Sequence, residues 1–210
     1  MKTLITTILL LSITVSFSQT GNFKKATNPE VIAQKLNTAS KTTKTIDSDF
    51  KQYKHLDILE NDMESLGHFS YSSPNKVRWE YLQPYKYLIV MNSGTMWIND
   101  GSKTKKYDTQ SNKMFKEIND LMVGMLQGKI LKSDKFNVSF YENNKQILAN
   151  LTPKTPEMKE FISSMNLYFD KKDYLVKKIK MSELSGDYTL IKFYNRKINI
   201  EIPNSLFNVK

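Results

Sequence analysis

From about residue 45 the chain alternates apolar and polar positions with a period of two, the spacing of strands that bury one face. The runs fall at 45–55, 64–72, 76–82, 85–92, 94–99 and 103–109, separated by the turn formers SSPN, LQP, NSG and NDGSK. The clearest is PNKVRWEYLQP (74–84): Val77, Trp79 and Tyr81 take one side, while Arg78, Glu80 and Leu82 take the other. The next stretch, YKYLIVMNSGTMWIND, continues the bulky series with Tyr87, Ile89 and Met91, then Met96 and Trp97.

Two segments leave this period for a helical one. NPEVIAQKLNTASKTTK has Asn28 at a cap position, Pro29 in the first turn and Glu30 near the positive helix end. Val31, Ile32, Leu36 and Ala39 recur at helical spacing, so an amphipathic helix is expected over 29–43. In SNKMFKEINDLMVGMLQGKIL, Phe115, Ile118, Met122 and Met125 predict a second helix over 112–127, ending towards Gly128. Strands resume in FNVSFYENNKQILANLTP, a short helix is expected in TPEMKEFISS, and three further strands close the chain. The expected fold is mainly β (α+β): a strongly curved antiparallel meander of about ten strands, closed or partly closed, with two or three helices filling its inner face.

The first twenty residues, MKTLITTILLLSITVSFSQT, have one lysine before an apolar stretch of about a dozen residues, then Ser16 and Ser18. This is the layout of a secretory signal peptide, too short for a membrane span, so 1–18 is expected to be removed and 19–210 to form a single domain. The sequence holds no cysteine, which excludes a disulfide framework, a thiolate metal site and a lipid-accepting cysteine. An exported, unanchored, disulfide-free chain suits a bacterial periplasm. The formal net charge of +10 is spread over lysines on strand faces and in turns, and export argues against nucleic acid; an anionic membrane surface or an acidic partner stays open.

Catalytic constellations are missing. His55 and His68, the two histidines, fall in separate runs with no metal-pair spacing. No Gly-x-Ser-x-Gly elbow occurs, and GMLQGKI (124–130) lacks the length and the Ser/Thr of a phosphate loop. No enzyme activity, metal or cofactor is therefore expected. What stands out is soft and apolar: Met91, Met96, Met114, Met122, Met125, Met158 and Met165 accompany Trp79, Trp97 and many Tyr and Phe. Methionine adapts to variable apolar shapes, although at these spacings it serves equally as plain core.

Between residues 70 and 100 the order of parts resembles the LolA family of periplasmic lipoprotein carriers. The parts are Pro74, the Trp79 strand, Gln83-Pro84, the apolar Leu88-Ile89-Val90, the Gly94 turn and the Trp97 strand. LTPK (151–154), ELSGDYTLIKFYN (183–195) and the ending NIEIPNSLF fit the same series. The resemblance implies an incomplete antiparallel barrel with helices forming a lid over an apolar cavity. It implies a monomeric soluble chaperone that takes acylated lipoproteins from an inner-membrane lipoprotein-releasing ABC transporter to an outer-membrane acceptor. The expected cavity lining is Val77, Trp79, Tyr81, Ile89, Met91 and Trp97 from the sheet, with Leu36, Ile118, Met122 and Met125 from the lid. In many proteobacterial members an arginine before the proline tethers the lid; here that position is Ser73, which offers no forked cationic donor. Three alternatives remain at this point: a carrier of another lipid-linked molecule such as a pigment or glycolipid, a lipoprotein-sensing regulator, and a sheet fold with a filled core.

Overall fold

The computed structural model describes residues 22–209 apart from positions 112 and 133; the expected signal peptide lies outside the described residues. The strands are β1 (Lys24–Lys25), β2 (Thr45–His55), β3 (Met63–Ser72), β4 (Lys76–Gln83), β5 (Tyr87–Asn92), β6 (Thr95–Asn99) and β7 (Thr104–Asp108), then β8 (Phe136–Glu142), β9 (Gln146–Pro153), β10 (Ser164–Asp170), β11 (Val176–Ser182) and β12 (Tyr188–Ile198). Helix α1 (Pro29–Thr42) precedes β2, α2 (Lys113–Leu126) and a 3-10 turn (Lys129–Lys132) link β7 to β8, and α3 (Pro156–Phe161) links β9 to β10. A second 3-10 turn, Asn204–Phe207, follows β12.

All twelve strands join one antiparallel sheet in the order β1-β8-β9-β10-β11-β12-β2-β3-β4-β5-β6-β7. The end strands β1 and β7 do not pair with each other, so the sheet is curled but open. Its two meanders are sewn together in the middle by β12 against β2, where the ladder bulges between Tyr194 and Lys197. β7 carries Lys105 and Lys106, charges that blunt an exposed edge.

Register fixes what looks inward. Phe193 pairs with Phe50, Phe50 with Gly67 and Gly67 with Tyr81, while one step along Phe69 pairs with Trp79 and Trp79 with Ile89, two adjacent rows on the concave face. Gly67 makes room for them: a Cβ there would lie 2.3 Å from both the Glu80 carbonyl oxygen and Phe50 Cζ. Helix α1 buries Ile32 and Leu36 against the concave side. Asn28 occupies its cap position through its carbonyl, which accepts from the Ile32 N–H at 3.2 Å, while the side chain makes no capping bond. Val31, expected on the buried stripe, stays exposed.

The convex face has a small core of its own. Val90 and Phe207 are fully buried where the Asn204–Phe207 turn covers β4 and β5. Arg78 holds that turn by donating to the Leu206 carbonyl at 3.3 Å, while its Nε and Nη2 grip Glu80 at 3.0 and 2.9 Å. Arg78 therefore anchors the chain end and takes no part in holding the helices. The strand the sequence pattern missed is β1, two exposed lysines with no alternation to read.

Candidate functional site

A mostly apolar cavity lies between the concave face and the helices. The sheet contributes Ile46, Phe69, Trp79, Phe169, Ile179 and Phe193; α1 contributes Leu36, and α2 contributes Met122, Met125 and Leu126. Leu131 of the 3-10 turn and Tyr174–Val176 at the β10–β11 turn close the rim.

Trp79 is the centre of an aromatic cluster. Its ring centroid lies 4.6 Å from Phe50, 5.4 Å from Phe69, 5.9 Å from Phe193 and 6.5 Å from Tyr81. The Tyr81 hydroxyl, kept protonated by burial, donates to Gln52 Oε1 at 2.9 Å. The buried Trp79 Nε1–H, although the Tyr81 hydroxyl is nearby, makes no hydrogen bond of good geometry.

Polar groups at the rim are mostly committed. Ser48 Oγ donates to the Tyr194 carbonyl at 2.8 Å. Arg196 donates through Nη1 to the Val176 carbonyl at 2.6 Å and pairs through Nη2 with Asp173, fixing the β10–β11 turn beside the cavity.

The ends of the two helices meet over the Ser73-Pro74 turn. Ser40 Oγ, in the last turn of α1, lies 2.9 Å from the Gln127 carbonyl just past the end of α2 and 2.9 Å from the Asn37 carbonyl of its own helix, so its one proton is shared between the two acceptors. Gln127 Nε2 donates in turn to the Pro74 carbonyl at 2.5 Å, leaving its own buried Oε1 unbonded. Gly128 sits at φ +68, and a Cβ there would lie 2.8 Å from Ser40 Oγ. So a small hydroxyl, a glutamine amide and a glycine join both helices to the turn where Ser73 stands.

The free space between the helices and the sheet is small. The space open to the centre of a water-sized sphere is ≈ 70 Å³. Anything as large as an acyl chain requires the helices to move.

Of the residues expected to line a cavity, Leu36, Trp79, Met122 and Met125 do so. Val77, Tyr81, Ile89 and Met91 share the concave face but pack in the core beside the cavity, as their pairing along β4 and β5 dictates. Trp97 requires correction: it pairs with Val90, on the convex face opposite Trp79. Ile118 lies a turn ahead of the lining residues of α2 and is 37 % exposed. Phe69, Phe169, Ile179 and Phe193 were missed, although each sits at the alternating apolar position of its own strand. Among the described residues no cluster of His, Cys, Asp or Glu could hold a metal, and no helix is long and apolar enough to cross a membrane.

The model of the family described as "Outer membrane lipoprotein carrier protein LolA" matches residues 41–210. The chain belongs to the LolA family. LolA-family relatives named outer-membrane lipoprotein carrier protein include one from Francisella tularensis, 28% identical over 211 residues (100% of this chain, 92% of the relative). Others are from Methylococcus capsulatus, 24% identical over 167 residues (79% and 77%), and Chromobacterium violaceum, 27% identical over 168 residues (79% and 76%). Among solved structures, an uncharacterized conserved protein from Thermus thermophilus matches with a TM-score of 0.53 at 10% identity, covering 87% of this chain and 94% of that one. MucB matches with a TM-score of 0.52 at 12% identity, covering 88% of this chain and 64% of that one. At these identities the two structures share the LolA-type fold with this chain and nothing finer.

Proposed function

We propose that this LolA-family chain is a non-catalytic periplasmic carrier that shelters the acyl chains of lipoproteins between the inner and outer membranes. The observation carrying this reading is the lid: two helices, tied to each other and to the Ser73-Pro74 turn by a few polar contacts, cover a Trp79-centred apolar face with little free volume. Each methylene kept from water is worth about 0.8 kcal/mol, so acyl chains need a sheltered path across an aqueous compartment. A lid that covers the same lining competes with the cargo for it, which keeps binding reversible. Leu36, Met122, Met125 and Leu126 are the lid residues that give way, and Phe69, Trp79, Ile179 and Phe193 are the floor the chains then cover. The donor is an inner-membrane ABC transporter that releases lipoproteins, and the recipient an outer-membrane acceptor.

Native mass spectrometry of the mature protein from periplasm, beside Trp79→Glu, tests the reading. Co-purified triacylated lipoprotein, lost in the variant, supports it. A different bound lipid assigns another lipid-linked cargo. A clean apo mass with no uptake of a triacylated lipopeptide contradicts it.

A further inference from the structure

On the convex side of the sheet three lysines stand together without a carboxylate. Lys178 of β11 is directly opposite Lys192 of β12, and Lys192 is directly opposite Lys51 of β2. Direct partners in an antiparallel ladder have Cα atoms about 4.5–5.5 Å apart, and like charges so placed repel. Lys180 shares the face, two residues along β11. Lys51 has a counter-ion in Glu64 at 2.7 Å, and nearby Lys54 is taken up by Glu183. Among the described residues Lys178, Lys180 and Lys192 form no salt bridge; their ammonium groups lie over tyrosine rings instead. Lys178 Nζ is 3.6 Å from the Tyr168 centroid, Lys180 Nζ 4.0 Å from Tyr188, and Lys192 Nζ 4.8 Å from Tyr53. Burial, and then the charges of Lys192 and Lys180, lower the pKa of Lys178. Burial keeps the Tyr168 phenol, on whose ring the Lys178 ammonium lies, protonated.

Repulsion on this scale disfavours the free protein and is relieved by an anion laid across the lysines. We infer that this convex Lys-Tyr face, centred on Lys178, Lys180 and Lys192, docks a protein partner that presents clustered carboxylates. A lipid surface fits less well. Ile179 and Phe193, which alternate with these lysines, line the cavity on the opposite face. A bilayer against the lysines would hold the lid away from the membrane it must serve, whereas a protein gripping the back leaves the lid free to open. That choice of partner rests on the carrier reading; the anion-binding face itself does not.

The test uses fluorescein-labelled deca-glutamate as probe and fluorescence anisotropy at low salt. It compares the mature protein with Lys178→Gln/Lys180→Gln/Lys192→Gln, and with Lys103→Gln/Lys105→Gln/Lys106→Gln, which removes the same charge around the β7 edge. The expected result is binding weakened about tenfold or more in the first variant, nearly unchanged in the second, and suppressed by added salt. Lys192→Gln alone, at an exposed position, should weaken binding about threefold and carries the test if the triple variant fails to fold. Equal loss in both triple variants overturns the proposal, as does binding of phosphatidylglycerol vesicles but not deca-glutamate through these lysines. Lipopeptide uptake by the same preparations separates the two readings: it should be unaffected by the convex-face variants, and its absence from the parent protein would sink the carrier function without touching patch-dependent probe binding.

Discussion

Ser40 Oγ lies 2.9 Å from the Gln127 carbonyl, 87 residues away in sequence, and shares its one proton between that oxygen and the Asn37 carbonyl of its own helix, so the ends of the two lid helices are joined by at most one hydrogen bond. Together with the bond from Gln127 Nε2 to the Pro74 carbonyl, it joins the helix ends to the turn that carries Ser73. One neutral hydrogen bond contributes about 1 kcal/mol net, so this polar tie is a small addition to the apolar packing of Ile32, Leu36 and Phe115 beneath the helices.

Ser40→Ala should therefore favour the open lid by about 1 kcal/mol, a shift of roughly fivefold in the closed-to-open ratio. Lipopeptide uptake followed by stopped-flow fluorescence should quicken while Tm changes little. Gly128→Ala should act in the same direction and more strongly, because its Cβ would meet Ser40 Oγ at 2.8 Å and its φ of +68 suits glycine. Uptake slower than in the parent protein for both variants would show that these contacts do not restrain the lid.

Gly67→Ala probes the sheet floor. The new Cβ would lie 2.3 Å from a backbone oxygen that cannot step aside and from the fully buried Phe50 ring. The expected cost is at the upper end of the ~1–3 kcal/mol typical of overpacking, or a fall in Tm of about 6–12 °C for a chain of this size. Differential scanning calorimetry reads it directly; a Tm within a degree of the parent would mean Phe50 does not pack over Gly67.

His68 sets a pH dependence. Burial opposes its charge most, but the bonds to Asp49 and Asp47, each 2.8 Å from a ring nitrogen, together outweigh it and raise the pKa above 6.5. Stability from this group is fully present below pH 6.5 and is lost as pH rises through the raised value. The Asp49 carboxyl is lowered below 3.8, first by Asn195 and then by His68, so its contribution is present above 3.8 and falls away in more acidic solution. Urea unfolding should show lower stability at alkaline pH than near pH 6, and His68→Gln should flatten that decline. An alkaline decline of the same size in the variant would assign it elsewhere.

Much of the fold was legible because period two survives in nearly every strand, and the β4 run around Trp79 announced the concave face correctly. Individual lining residues were harder. Met96 and Trp97 are consecutive, so only one can face inward; Asn92 pairs with Thr95 across a tight turn, which sets Met96 opposite Met91 and turns Trp97 outward. The spacing of Ile118 was right for a helix stripe, but where α2 overhangs the sheet is a tertiary fact. Phe193 and Phe69 come close only because β12 crosses back to β2, a pairing between distant segments that alternation does not encode.

The two tryptophans lie on opposite faces, which allows a direct measurement of the cargo site. In Trp97→Phe the remaining emission comes from Trp79 in the cavity; in Trp79→Phe it comes from Trp97 on the convex side. Each variant would be titrated with a triacylated lipopeptide carrying brominated acyl chains, which quench only at short range. The expected result is saturable quenching of Trp79 and none of Trp97. Saturable lipopeptide binding that leaves Trp79 unquenched, or quenching of Trp97 alone, would contradict a cargo site between the lid helices and the concave sheet.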